Sequence, residues 1–302
     1  MNPWTPLAGA TFGYAVGTVL TRAVLLRGVS TWTLIPVRMV FALASLLIVM
    51  ALTKRFWTTD PRAWKRGLVL GLVGMALPMI LMTLGFEDLP VSLGGLLIAL
   101  IPLATIIAAH FLVSGERFRI RALPGLLVAL LGSALLVGVG GTTIEGVDNL
   151  WRGVLLMLMG VAAAGMGGAL SRRFALEVSS RQLVLPQFTV NTLATGLVLP
   201  LFLDFELTAI DNVSWWLIAG VGAVGTTLAF GSLLTAAGLN PASRLALVGY
   251  SIPVLSVILA VIFLGESLTL GIVVGAALII TGVVMVERTT PHVPEPGVAT
   301  AR

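Results

Sequence analysis

The chain repeats its own punctuation. Gly71, Gly74, Pro90, Ser92 and Pro102 return as Gly222, Gly225, Pro241, Ser243 and Pro253, at a constant offset of 151 without a gap. After one deletion, Gly115, Glu116, Gly125 and Gly132 return as Gly265, Glu266, Gly275 and Gly282. Composition alone hardly produces a register this long, so the chain reads as two homologous halves. Each half holds several apolar stretches of membrane-spanning length. Duplicated membrane halves are the architecture of secondary transporters, with a site where the halves meet.

Lipid must be the solvent. The chain is 58% hydrophobic and only 10% charged, with a mean hydropathy of +1.06, whereas a soluble domain carries roughly 25% charged residues. Met1 to Pro6 has no basic region and no cleavage site follows the first apolar run, so the first span is expected to be retained. The net charge of +5 is scattered over short loops rather than gathered on one face, which argues against nucleic acid as a partner. The absence of cysteine excludes disulfides, thiol catalysis and thiolate metal sites. Two histidines, one of them in the tail, leave little for a metal, and no cofactor is expected.

About 20 apolar residues cross a bilayer core as a helix. Ten such segments are predicted, at 5–26, 31–52, 66–86, 91–113, 121–139, 150–170, 182–203, 214–234, 242–264 and 268–286. Gly28 and Ser30 separate the first pair, and Pro90 separates the third from the fourth. The fold class is therefore all-α integral membrane, with ten helices in two inverted five-helix repeats. The first repeat is 1–140, the second 141–287, and 288–302 is a cytoplasmic tail expected to be disordered.

Orientation follows from Lys and Arg in the short loops. Lys54, Arg55, Arg62 and Lys65, then Arg117, Arg119 and Arg121, then Arg172, Arg173 and Arg181, all fall on one side of a ten-span chain. The other side carries Arg22, Arg27 and Arg152 among acidic loops (Glu145, Asp148, Asp204, Glu206, Asp211). Both termini are expected in the cytoplasm, with the chain in the inner membrane. Five helices per repeat is an odd number, so the second half must enter inverted. GERFRIR at 115–121 has three arginines, and its partner GESLTLG at 265–271 has none. An inverted repeat demands that difference, and a parallel one does not.

The run LNPASRLALVGYSIPVLSVILAVIFLGESLTLGIVVGAALIITGVVMV at 239–286 resembles the second repeat of the drug/metabolite transporter superfamily, EamA type. The resemblance rests on Pro241, Ser243, Pro253, Gly265, Glu266, Gly275 and Gly282, and covers nearly all of 8–286. In the first half it is looser. Arg38 falls where the family has an arginine in the second helix, with Met39 where an aromatic is usual. Arg22 falls near a familiar lysine position, and Gly13-Tyr14 stands where Trp-Gly is common. The resemblance implies the fold and the transport class, with substrates that range over amino acids, nucleoside-like metabolites, amines and drugs.

Arg38 is the sharpest single residue. It lies seven residues inside the second span, about 10 Å deep at 1.5 Å per residue. A charge there costs about 2.5 kcal/mol or more against lipid, so it must pair, snorkel or line water. Glu87 and Asp88 are the expected partners if its role is structural; a substrate carboxylate is the partner if its role is binding. Pro78, Pro102 and Pro253 lie within spans, where each removes a donor and is expected to kink or gate its helix. The freed carbonyls need protein or cavity water, so the third, fourth, eighth and ninth spans are expected to wall a central cavity. Tyr14, Thr83, Thr226, Thr227, Tyr250 and Ser251 are candidates to orient a ligand there, with Gln187 and Asn191 one turn apart on the seventh span. Taken alone, each reads first as a satisfied interhelical hydrogen bond and only second as a contact to substrate. Glu116 and Glu266 follow glycine at a helix end and suit a structural turn with helix capping.

The expected function is secondary transport, as an exporter, of a small organic metabolite (an amino acid, amine or drug-like molecule) by alternating access. No nucleotide-binding motif is present, and protons are a candidate coupling ion. The chain is not expected to be an enzyme. The alternatives are an integral-membrane enzyme acting on lipid, or a non-transporting scaffold. The enzyme would need a cluster of His, Asp, Glu or Ser at one interface, and none converges in the sequence.

Overall fold

A backbone in hydrocarbon satisfies its polar groups by closing each N–H onto its own helix. The computed structural model follows that rule, and among the described residues all regular structure is helical. The structure describes residues 2, 4–54, 57–113, 149–175, 177–203, 205–237 and 242–289, with part of 121–135.

Helix α1 is Trp4–Leu26 and α2 is Thr31–Thr53. The turn between them uses Gly28 at φ +83°, and Ser30 caps α2 by accepting from the Trp32 amide at 3.1 Å. Helix α3 runs Pro61–Asp88 and α4 runs Val91–Leu112. Only the residues at 123–125, 127–129, 131–132 and 135 of α5 are described, so the fifth predicted span falls largely outside the described residues. Helix α6 is Leu150–Ala175. Helix α7 begins as Ser180–Leu193 and ends as Leu199–Phe202. Helix α8 begins as Asn212–Gly222 and ends as Ala229–Ala237. Helix α9 is Ala242–Leu264 and α10 is Leu270–Thr289. Among the described residues, seven helices are long and apolar enough to cross a membrane. Helix α3 starts five residues before its predicted boundary because Asp60 accepts from the Arg62 amide at 2.8 Å and Pro61 takes the first helical position.

Three of these helices widen for one turn. Leu72–Ala76 in α3, Ala194–Val198 in α7 and Ala223–Leu228 in α8 are π-turns. The first two lie just before Pro78 and Pro200. A proline ring clashes with the carbonyl four residues back, and a π-turn changes which carbonyl stands there. Gly74 and Gly225, which correspond in the sequence repeat, sit in the first and third. Helix α4 breaks at Ala99–Leu100, directly before Pro102, into Val91–Ile98 and Ile101–Leu112. Helix α9 continues through Pro253.

The packing of α3 and α8 is reciprocal. Gly225 of α8 meets Gly17 of α1 backbone to backbone, and Gly74 of α3 meets Gly167 of α6 in the same way. One turn earlier, Gly222 lies against the Arg38 carbonyl and the Phe41 side chain of α2, while Gly71 lies against the Gln187 carbonyl and the Val190 side chain of α7. Each contact joins a glycine to a carbonyl and to the side chain three residues on, so Arg38 and Gln187 hold matching places. The largest core joins α3, α4 and α6 through Phe86, Leu93, Leu96, Leu97 and Met157. The outside is apolar: Trp216 is 81% exposed, Leu52 80% and Phe111 78%. Those faces make sense only against lipid.

Candidate functional site

Arg38 of α2 donates from Nη2 to the Thr226 hydroxyl at 3.2 Å. Thr226 in turn donates to the Val221 carbonyl at 3.0 Å, so its oxygen is fixed by the π-turn of α8. Nε of Arg38 is sealed from solvent and has no partner among the described residues. The guanidinium therefore faces α8 inside the bundle rather than lipid.

The expected pairing of Arg38 with Glu87 or Asp88 is corrected here. Both carboxylates belong to Arg152, whose Nη1 donates to Asp88 at 2.8 Å and Nη2 to Glu87 at 3.3 Å. Arg22 of α1 caps the same helix end, donating to the carbonyls of Phe86 at 2.5 Å and Glu87 at 2.8 Å. The end of α3 lies against α6 and α1, and their arginines occupy it.

A polar seam extends from Arg38 along α2. Ser45, two turns on, donates to Thr227 at 2.8 Å, and Thr227 donates to the Ala42 carbonyl at 2.7 Å. On the side toward α7, Asn191 is fully buried; its Nδ2 donates to the Met39 sulfur at 3.4 Å, while its Oδ1 has no partner among the described residues. Thr192 donates to the Met39 carbonyl at 3.3 Å. Gln187 is buried one turn away, and no hydrogen bond holds its side chain among the described residues. Arg38, Gln187, Asn191, Thr226 and Thr227 thus gather where α2, α7 and α8 meet. Met39, Ser45 and Thr192 join them without having been singled out. Only Ser45 carried a sequence signal, its seven-residue spacing from Arg38 on one helical face.

The other candidates lie elsewhere. Thr83 is satisfied within α3, donating to the Met79 carbonyl at 2.7 Å. Tyr14 packs with Leu233 against Leu7, Val248 and Ile252, between α1, α8 and α9. Ser251 is exposed on α9, and the Tyr250 side chain lies outside the described residues. A second polar contact, missed in the sequence, pairs Thr18 of α1 with Ser256 of α9 at 3.2 Å. Pro78 and Pro253 are buried and Pro102 half-buried. Glu116 lies outside the described residues. Glu266 accepts from the amides of Val91 at 2.6 Å and Ser92 at 2.9 Å. It caps α4, whose N-cap is Pro90 and which has no side-chain cap of its own.

Two further ion pairs lie at helix ends. Arg27 bridges to Asp211, which also accepts from the Ser214 amide. Those hydrogen bonds hold the Asp211 carboxyl well below the usual carboxylate range and raise the Arg27 guanidinium. At the opposite end Arg66 bridges to Glu177 at 2.5 Å and stacks over Phe174. Among the described residues no group of three or more His, Asp or Glu side chains is arranged to hold a metal ion.

The family model described as the EamA-like transporter family matches the chain twice, over residues 6–138 and 151–288. The chain belongs to the EamA-like transporter family. It is similar to a protein of Bacillus subtilis (strain 168) named as an uncharacterized transporter, YvbV, with 28% identity over 249 residues that cover 80% of this chain and 78% of that one. A solved crystal structure shares the fold, with a TM-score of 0.63 and 18% identity over 96% of this chain and 99% of its own. The resemblance read from the sequence is borne out: this EamA-like transporter is a multi-pass membrane protein of the drug/metabolite transporter type.

Proposed function

We propose that this protein is a secondary active transporter that exports a small organic metabolite by alternating access, built from ten helices in two inverted five-helix repeats. The reciprocal glycine packing carries the reading. Helix α8 wedges between α1 and α2 as α3 does between α6 and α7, with Gly225–Gly17 answered by Gly74–Gly167. Two structurally matched wedges give the fold two equivalent arrangements, and exchange between them alternates access to a site at their junction. The family match to each half supports the duplication. The loop charges support cytoplasmic termini in the inner membrane, with α1–α2 and α3–α4 turning outside.

The test is flux. Purified protein in liposomes should move radiolabelled organic metabolites saturably and with counterflow. Lipid turnover without flux or binding, over a panel of amino acids, amines, carboxylates and nucleosides, would move the reading to a membrane enzyme.

A further inference from the structure

We propose that Arg38 is the binding site for the carboxylate of a singly charged organic anion. This deepens the transport reading and rests on it, because it assigns that site its substrate class.

An ionised guanidinium deep in a span needs a counter-charge. The acids nearest to helix ends are already engaged: Glu87 and Asp88 by Arg152, Asp211 by Arg27, Glu177 by Arg66, and Glu266 by the α4 amides. None reaches Arg38. Among the described residues its one partner is a neutral hydroxyl, Thr226, which uses one of five N–H donors. Thr226 is itself anchored to Val221, so it orients the fork without neutralising it. The counter-charge is therefore left to an occupant.

The charge of that occupant follows from the repeat. The matching place in the second half is Gln187, a neutral amide, so the two matched positions together carry one positive charge. One cation balances a monoanion. A phosphate ester would bring close to two charges and leave one uncompensated. A planar guanidinium matches a carboxylate in two parallel hydrogen bonds. Across the seam from Arg38, on the α7 side of α2, Gln187 and Asn191 add amide groups, and Asn191 Oδ1 is a buried acceptor without a donor.

A direction follows as well. An anion moving alone is driven out of an inside-negative compartment, and 100 mV sustains a gradient of roughly 50-fold for one charge. Export of a monoanion needs no further ion.

The experiment uses the full chain, purified, with benzoate, phenylacetate and lactate as probes. Each is compared with its neutral amide at matched ionic strength. Wild-type protein should gain thermal stability with the carboxylates and not with the amides. Arg38→Gln should abolish that gain. Arg38→Lys keeps the charge, so it tests the site even if the glutamine variant does not fold; affinity should fall about tenfold or more with the loss of the fork. Equal carboxylate stabilisation in wild type and Arg38→Lys, equal stabilisation by amides, or no response to any carboxylate overturns the anion site. Flux in liposomes separates the two readings. Transport of benzylamine without a carboxylate response overturns the anion site and leaves transport standing. Carboxylate binding that depends on Arg38, without flux of any probe, keeps the site and overturns transport.

Discussion

A methyl group on Gly225 should force α1 and α8 apart. A Cβ there would lie 2.6 Å from the Gly17 Cα, and one on Gly17 would lie 2.7 Å from the Gly225 Cα. Relaxed carbon contacts need about 3.5–4.0 Å, so the two backbones must separate by roughly 1 Å. Overpacking of that size costs about 1–3 kcal/mol. The obstacle is backbone on both sides, so no rotamer change relieves it. Gly231 is the control: it lies further along α8 with nothing within 4 Å of a built Cβ. Alanine there should be neutral, or stabilising by up to about 1 kcal/mol from helix propensity. The pair Gly17→Ala and Gly225→Ala should cost less together than the sum of the singles, because the first opens the gap the second needs. Apparent unfolding midpoints in detergent, with flux on the same preparations, measure all four. A Gly225→Ala protein that melts at or above Gly231→Ala refutes the close-packed junction.

Three other outcomes are expected. Glu266→Ala leaves the Val91 and Ser92 amides without their acceptor and should cost about 1–3 kcal/mol, with Glu266→Gln recovering part; wild-type melting in the alanine protein refutes the cap. Asp211 has a depressed carboxyl, so its contribution is complete above its unfolded value near pH 4 and is lost only as pH falls through the lower folded value. The gap between wild type and Asp211→Asn should therefore stay constant from about pH 8 to pH 5 and close only in stronger acid; closure near pH 6 contradicts the pairing. Glu206→Cys should label from outside with an impermeant thiol reagent and Thr59→Cys should not, and external labelling at 59 reverses the orientation.

The apolar runs were legible because a span must be long and nearly uncharged, and the described helices fall on them with end shifts of a few residues. Helix α4 breaks beside Pro102, whereas α9 runs on through Pro253. The π-turns were not legible, since a widened turn depends on which backbone packs against it. Arg38 was readable as a buried charge, but its partner was not. Glu87 and Asp88 sit at a plausible depth in sequence, yet three-dimensional packing puts Arg152 and Arg22 there instead. Thr226 and Thr227 were named for their polarity alone; only the fold shows one steadying Arg38 and the other tied to Ala42 and Ser45.

Glu266 finishes a helix that belongs to the other half of the chain. The first half alone would start α4 with two amides unanswered at the membrane edge, where water competes poorly for them. The first half is then not a self-sufficient folding unit. During synthesis the first five helices must wait, with α4 provisionally capped, until the loop after α9 arrives. A gene split between the halves should therefore yield function only when both fragments are made together, and the first fragment alone should be a substrate for membrane proteolysis.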